Sequence, residues 1–229
     1  VAESFSGLLL ALDEISQMDA KEGAATIYGL GNGVGKIRAS RTGEPKAPKK
    51  WRLLFLSSGE ISLEEHLKSA DKQYCAGLNA RFVELPADAG LGCFEHLHGE
   101  KNAASFARRL QAAAAKYHGT PLVHWLEYLT THRETLAGRI PERRAACLAQ
   151  LLGQHPQPSG LVRRVADRFA LVGIAGELAR DAGILPWPER AAWNAARRLF
   201  EEWLQDRGGA GNVEVKALVD RVRGFLMAN

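Results

Sequence analysis

Apolar residues in the first hundred positions come as short unbroken runs, whereas further along they recur at helical spacing. Leu8 to Leu12 is one such run and stops at Asp13-Glu14. Trp51 to Leu56 is another and stops at Ser57-Ser58-Gly59-Glu60. Runs of this length without polar alternation predict strands buried on both faces, the habit of parallel sheets. A third short strand is expected over Asn79 to Pro86, carrying Arg81 in a mostly apolar segment. Between the first two, a helical stretch ends in the glycines that start at Gly29. Ser62-Leu63-Glu64-Glu65 reads as a capping box that starts a helix over His66 to Lys72.

From about residue 101 onward the pattern is helical throughout. Helices are predicted over Ser105 to Tyr117, over Leu122 to Leu136 behind Pro121, and from Pro141 to near Gly153. His155-Pro156-Gln157-Pro158-Ser159-Gly160 is a cluster of breakers. Beyond it, Leu161 to Ala182, Pro188 to Asp206 and Val213 to Met227 are divided by Pro186-Trp187-Pro188 and Gly208 to Gly211. The expectation is an α/β fold: a parallel-sheet lobe over residues 1–100, then an all-helical region over 101–229 with an internal break near 155–160.

The strand ends carry the candidate chemistry. An apolar strand that delivers two adjacent carboxylates has the shape of a Walker B motif, in which the first carboxylate holds a nucleotide-bound Mg²⁺ and the second polarises the attacking water. The same letters arise where a strand meets a helix with an acidic first turn. Ser57 or Ser58, at the end of the next run, would stand beside that pair.

Charge adds a second element. Seven cations lie between Lys36 and Arg52 against the single acid Glu44. With the turn signal Thr42-Gly43-Glu44-Pro45 they predict a basic hairpin, which suits phosphate contacts and equally suits an edge protected by lysines. Gly29 to Lys36 does not form a phosphate-binding loop. The pattern G-x-x-x-x-G-K-[ST] needs glycine at position 30 and Ser or Thr at 37, where the chain has Leu30 and Ile37.

Several blocks, in order, resemble the family catalogued as domain of unknown function 927. They are Leu8 to Ala20, Gly31 to Ala39, Trp51 to Glu60, Leu85 to Asp88 with Phe94 to Gly99, and, further on, Arg168 to Val172, Ala175 to Ala179 and Gly183 to Pro188. Members occur in helicase and primase-helicase proteins of plasmids, phages and mobile elements, and the family is similar to AAA+ motors of the minichromosome-maintenance type. The resemblance implies a partial P-loop ATPase lobe that binds ATP and Mg²⁺, with Asp13 on the metal, Glu14 as the catalytic carboxylate and Ser58 as the sensor. It further implies Lys36, Arg38 and Arg41 gripping DNA, Arg81 acting in trans within a hexameric ring, and Arg164 or Arg168 as a second sensor from a helical lid. Full-length relatives carry a phosphate-binding loop upstream, so the chain reads as a fragment, inactive alone, of a cytoplasmic DNA helicase.

The remaining composition narrows the picture slightly. Three cysteines and seven histidines fall in no metal-ligand spacing, and no apolar run approaches membrane-spanning length. Trp187, Trp193 and Trp203 are expected in a core. A second functional reading stays open beside the motor: a non-catalytic DNA-binding or assembly module descended from an ATPase.

Overall fold

A computed structural model of the chain describes residues 1–35, 39, 43–72, 76–212, 223 and 227. The fold is mixed α/β and mostly helical, and it divides into two compact units, Val1–Glu84 and Leu85–Asn229. The segment 155–160 lies inside the second unit, between two of its helices. The helix expected over Val213 to Met227 lies outside the described residues.

In the first unit, β1 (Leu9–Leu12) pairs in parallel with β2 (Leu54–Ser57), with Leu9 opposite Leu54 and Leu12 opposite Ser57. Period-two alternation sends Leu10 and Phe55 inward. Leu9, Leu54 and Leu56 are turned out and are 54%, 58% and 64% exposed, so the two strands are covered on one face and not on both as their unbroken apolar runs predict. Helix α1 (Ala20–Asn32) starts at Asp19, whose side chain accepts from Lys21 N–H, and ends at Gly33. Gly33 has φ of 69°, and a Cβ there would lie 2.5 Å from Trp51 O, so glycine is required twice over. The expected capping box is present at the start of α2 (Leu63–Lys68), with Ser62 and Glu65 each bonding the other's backbone N–H. Ile15, Ile27, Leu63, Leu67 and Leu78 form the core, with Phe55 and Phe82 against it.

The strand expected over Asn79 to Pro86 is absent. Asn79 ends a short helix, α3 (Ala76–Asn79), and the N–H groups of Arg81 and Phe82 both donate to Leu78 O at 2.8 Å. Backbone donors committed to a helical carbonyl cannot join a ladder. Phe82 instead stacks on Phe55 with ring centroids 6.0 Å apart.

The second unit contains α4 (Ala103–Lys116), α5 (Thr120–Thr131), α6 (Arg133–Leu152), α7 (Gly160–Asp181) and α8 (Ala191–Asp206). Two expected boundaries move. The helix expected over Leu122 to Leu136 breaks at His132, whose N–H and ring Nδ1 both address Tyr128 O at 3.0 Å. Pro141, expected to open a helix, lies inside α6. It removes one hydrogen bond there, yet Leu136, Ile140 and Cys147 on either side of it pack with Ile174 and Leu178 of α7, which keeps the two halves in line.

Helices α7 and α8 approach closely because α7 presents glycines to α8. A Cβ on Gly173 would lie 3.0 Å from the Trp193 ring, and one on Gly176 would lie 2.4 Å from Ala192 Cβ. Phe200, Val162 and Val165 are fully buried, and Trp193 and Trp203 are each 6% exposed. Trp187 departs from expectation at 47% exposed. The start of α8 has no cap of its own, since Arg190 sits in the left-handed region at φ 64°. Glu177 of α7 supplies one: its Oε2 accepts from Arg190 N–H at 3.0 Å and its Oε1 from Trp193 N–H at 3.1 Å.

Candidate functional site

Parallel pairing brings the carboxyl ends of β1 and β2 to the same edge, so the residues that follow them meet. Asp13 and Glu14 continue β1, and Ser58 continues β2. The ladder closes with Ser58 N–H to Leu12 O at 3.3 Å and Ile15 N–H to Ser58 O at 2.9 Å. Gly59 then lets the chain turn against Ile15, since a Cβ there would lie 2.9 Å from Ile15 Cγ2.

Within this frame one hydroxyl joins both acidic residues. Ser58 Oγ donates to Asp13 Oδ1 at 3.0 Å and accepts from the Glu14 N–H at 2.9 Å. Ser57 Oγ instead donates to Ser58 O at 3.1 Å, which leaves Ser58 as the serine at the site. The Glu14 backbone is in the left-handed region, at φ 53° and ψ 93°, a conformation that costs energy for a residue with a Cβ. Its carboxylate Oε1 accepts from Ser16 Oγ at 2.6 Å and from Ser16 N–H at 3.3 Å. These bonds from Ser16, with a further one from the Glu60 N–H, hold the Glu14 carboxyl below the usual carboxylate range. Glu14 therefore caps the 3-10 turn Ile15–Gln17 that follows it. His66 steadies the other end of this turn segment, its Nε2 2.8 Å from Met18 O.

Ser16 was not singled out by sequence reasoning. The signal for it was the spacing, an acidic residue two before a serine at a helix-like start, which is a cap pattern.

The donor set tests what the site can hold. Asp13 is exposed, and Ser58 occupies one of its oxygens. Among the described residues no group of three or more His, Cys, Asp or Glu side chains could hold a metal ion. One carboxylate and one hydroxyl do not make an all-protein metal cage. They fit Mg²⁺ bound jointly with nucleotide phosphates, which needs only one or two carboxylates from the protein.

The other sequence-predicted residues lie elsewhere. Arg81 donates from Nε to Asn32 Oδ1 at 2.9 Å and from a terminal guanidinium nitrogen to Gly77 O at 2.8 Å, and it sits over the Tyr28 ring at 4.8 Å. These contacts tie α3 to α1. Arg164 and Arg168 are exposed on α7, in the second unit, whereas Asp13, Glu14 and Ser58 belong to the first. Arg164 Nε donates to Gly160 O at 3.2 Å. Lys36, Arg38 and Arg41 lie outside the described residues. The flanks of their segment do pair antiparallel, Val34 with Lys50 and Ala39 with Pro45. Gly35 N–H donates to Lys49 O at 2.8 Å and Trp51 N–H to Gly33 O at 2.9 Å, the base of a hairpin.

The model of a family described as Domain of unknown function (DUF927) matches residues 1–50. That match supports the resemblance over β1, the acidic pair, α1 and the segment from Val34 to Lys50, and it ends before Ser58 and Arg81. No curated protein and no solved structure matches the chain.

Proposed function

We propose that this chain carries the carboxylate side of an ATP-hydrolysing site in a motor that moves along DNA. The observation that carries the reading is the Ser58 hydroxyl, which binds Asp13 and the Glu14 N–H at the carboxyl edge of two parallel strands. Ligands in open parallel sheets bind outside the carboxyl ends of the strands. In this reading Asp13 offers its free oxygen to Mg²⁺, which bound with ATP would neutralise charge on the phosphates. Glu14 takes the proton of an attacking water once its carboxylate turns from Ser16, and Ser58 keeps the two acidic residues in register. Lys36, Arg38 and Arg41 supply phosphate contacts to DNA.

The test is Glu14→Gln in the full-length protein. Phosphate release from MgATP should fall by about a hundredfold or more, the usual contribution of a general base, while MgATP binding persists. Normal turnover by the variant would refute the assignment.

One observation favours the second reading, a non-catalytic DNA-binding or assembly module: both Ser16 donors are spent on the Glu14 carboxylate, as in a purely structural cap. If that module is correct, the parent protein shows no MgATP turnover for Glu14→Gln to remove.

A further inference from the structure

In the second unit, every residue from 108 to 124 is exposed, across the end of α4, the connecting turn and the start of α5. No residue of either helix up to that point is buried. The segment carries Arg108, Arg109 and Lys116 and no acidic residue. Arg109 is paired with Glu100 at 3.2 Å, an exposed pair of little strength. Arg108 and Lys116 form no ion pair among the described residues. Arg109 and Lys116, seven residues apart, share one side of α4 at a separation of about 10 Å along its axis.

At the turn, Tyr117 is 72% exposed. Lys116 Nζ lies over its ring, 5.0 Å from the centroid. The alanines at 112 to 115 keep the helix between the cations slim. An exposed aromatic ring with Lys116 over it, and with Arg108 and the weakly paired Arg109 two turns back along the same helix, combines a base-stacking face with phosphate contacts. Leu110 of α4 and Leu122, Val123 and Leu126 of α5 are exposed as well, but the alanines at 112 to 115, Lys116 and the Gly119 turn separate the two groups in sequence, whereas a membrane surface would require a continuous bulky apolar face.

We propose that the α4–α5 turn is a binding surface for single-stranded nucleic acid, with Tyr117 stacking on a base and Arg108, Arg109 and Lys116 holding the flanking phosphates. It shares the polynucleotide partner of the motor reading but is independent of the Asp13 site and of the Lys36 hairpin.

The test is fluorescence anisotropy of labelled oligothymidylate with the chain over a salt series and without nucleotide. Tyr117→Ala should weaken binding by about five- to a hundredfold, and Tyr117→Phe should restore it. Arg108→Ala with Lys116→Ala should flatten the salt slope by about 1.4, two single-strand phosphate contacts. The Tyr117→Ala loss should persist when Lys36 and Arg38 are already alanine, which separates this surface from the hairpin. Oligothymidylate binding that Tyr117→Ala leaves unchanged would overturn the proposal. So would an equal loss on duplex DNA, or binding only to mixed phosphatidylserine–phosphatidylcholine vesicles. Because no ATP is present, failure of Glu14→Gln to affect hydrolysis would leave this result untouched.

Discussion

Replacing Gly176 with alanine should destabilise the helical unit, although Gly→Ala within a helix ordinarily stabilises. The ordinary gain is about 0.5–1 kcal/mol, because alanine loses less backbone entropy on folding. At Gly176 the new Cβ would sit 2.4 Å from Ala192 Cβ. Carbon atoms in comfortable contact are about 3.5–4.0 Å apart, so α7 and α8 would have to part by about 1 Å locally. Neither atom is the end of a flexible side chain, and the strain passes to Trp193 and Ala196, packed one turn away against Gly173. Overpacking of this kind costs about 1–3 kcal/mol. Set against the propensity gain, the net loss spans about 0–2.5 kcal/mol and centres near 1 kcal/mol, or roughly 2–4 °C in the melting temperature of a domain this size. Gly138 of α6 is the control, since a Cβ there meets nothing within 4 Å. Gly138→Ala should raise the melting temperature, by about 1–4 °C. Thermal melts followed by circular dichroism would read both variants. The reasoning fails if Gly176→Ala melts at or above the parent temperature, or if both variants shift in the same direction.

Glu177→Ala removes the cap that α7 supplies to α8 and should cost about 1–3 kcal/mol, measured by denaturant titration; Glu177→Gln should recover part of it through its remaining carbonyl oxygen. A loss below about 0.3 kcal/mol for the alanine variant would show that water caps α8 equally well. Asp167 is held below the usual carboxylate range by its hydrogen bonds with Arg144 and then by the charges of Arg144 and Arg168, against some desolvation. A lowered folded value means that the bond contributes above the unfolded pKa and is lost as pH falls through the folded one. Arg144→Ala should therefore lower stability at neutral pH by less than about 1 kcal/mol, the pair being partly exposed, and the gap to the parent should close on acidification below about pH 4. A gap that widens in acid would contradict the assignment.

Features fixed by local chemistry were legible in the chain. The end of α1 at Gly33 and the box at Ser62 follow from glycine's access to positive φ and from a serine spaced three before a glutamate. The meeting of Ser58 with Asp13 was also readable, because two apolar runs in parallel bring together the residues just beyond their ends. What escaped depended on contacts distant in sequence or on competition for one group. Leu78 O captured the N–H groups that a strand at Arg81 needed. The burial of Leu136 and Ile140 against α7 carried a helix through Pro141. The Glu177 cap joins residues thirteen and sixteen apart on two helices, a pairing that no local pattern encodes. At Glu14 the sequence offered two alternatives, and the geometry contains features of both: a strand-end residue whose backbone N–H meets the Ser58 hydroxyl, and a carboxylate that caps the following turn through Ser16.

The outward side of the two-stranded sheet bears on how firmly that edge is held. Leu9, Leu54 and Leu56 contribute little burial, and an isolated pair of strands is marginal unless it packs against helices, which here support the Phe55 side alone. The core of Ile27, Leu63, Leu67 and Leu78 anchors the helices of the first unit more firmly than it anchors the ladder. Local opening should thus begin at the strands and spread to α1 and α2 only near global unfolding. The positions of Asp13 and Ser58 are set by the least protected part of their unit, so whatever stabilises the ladder also sharpens the site.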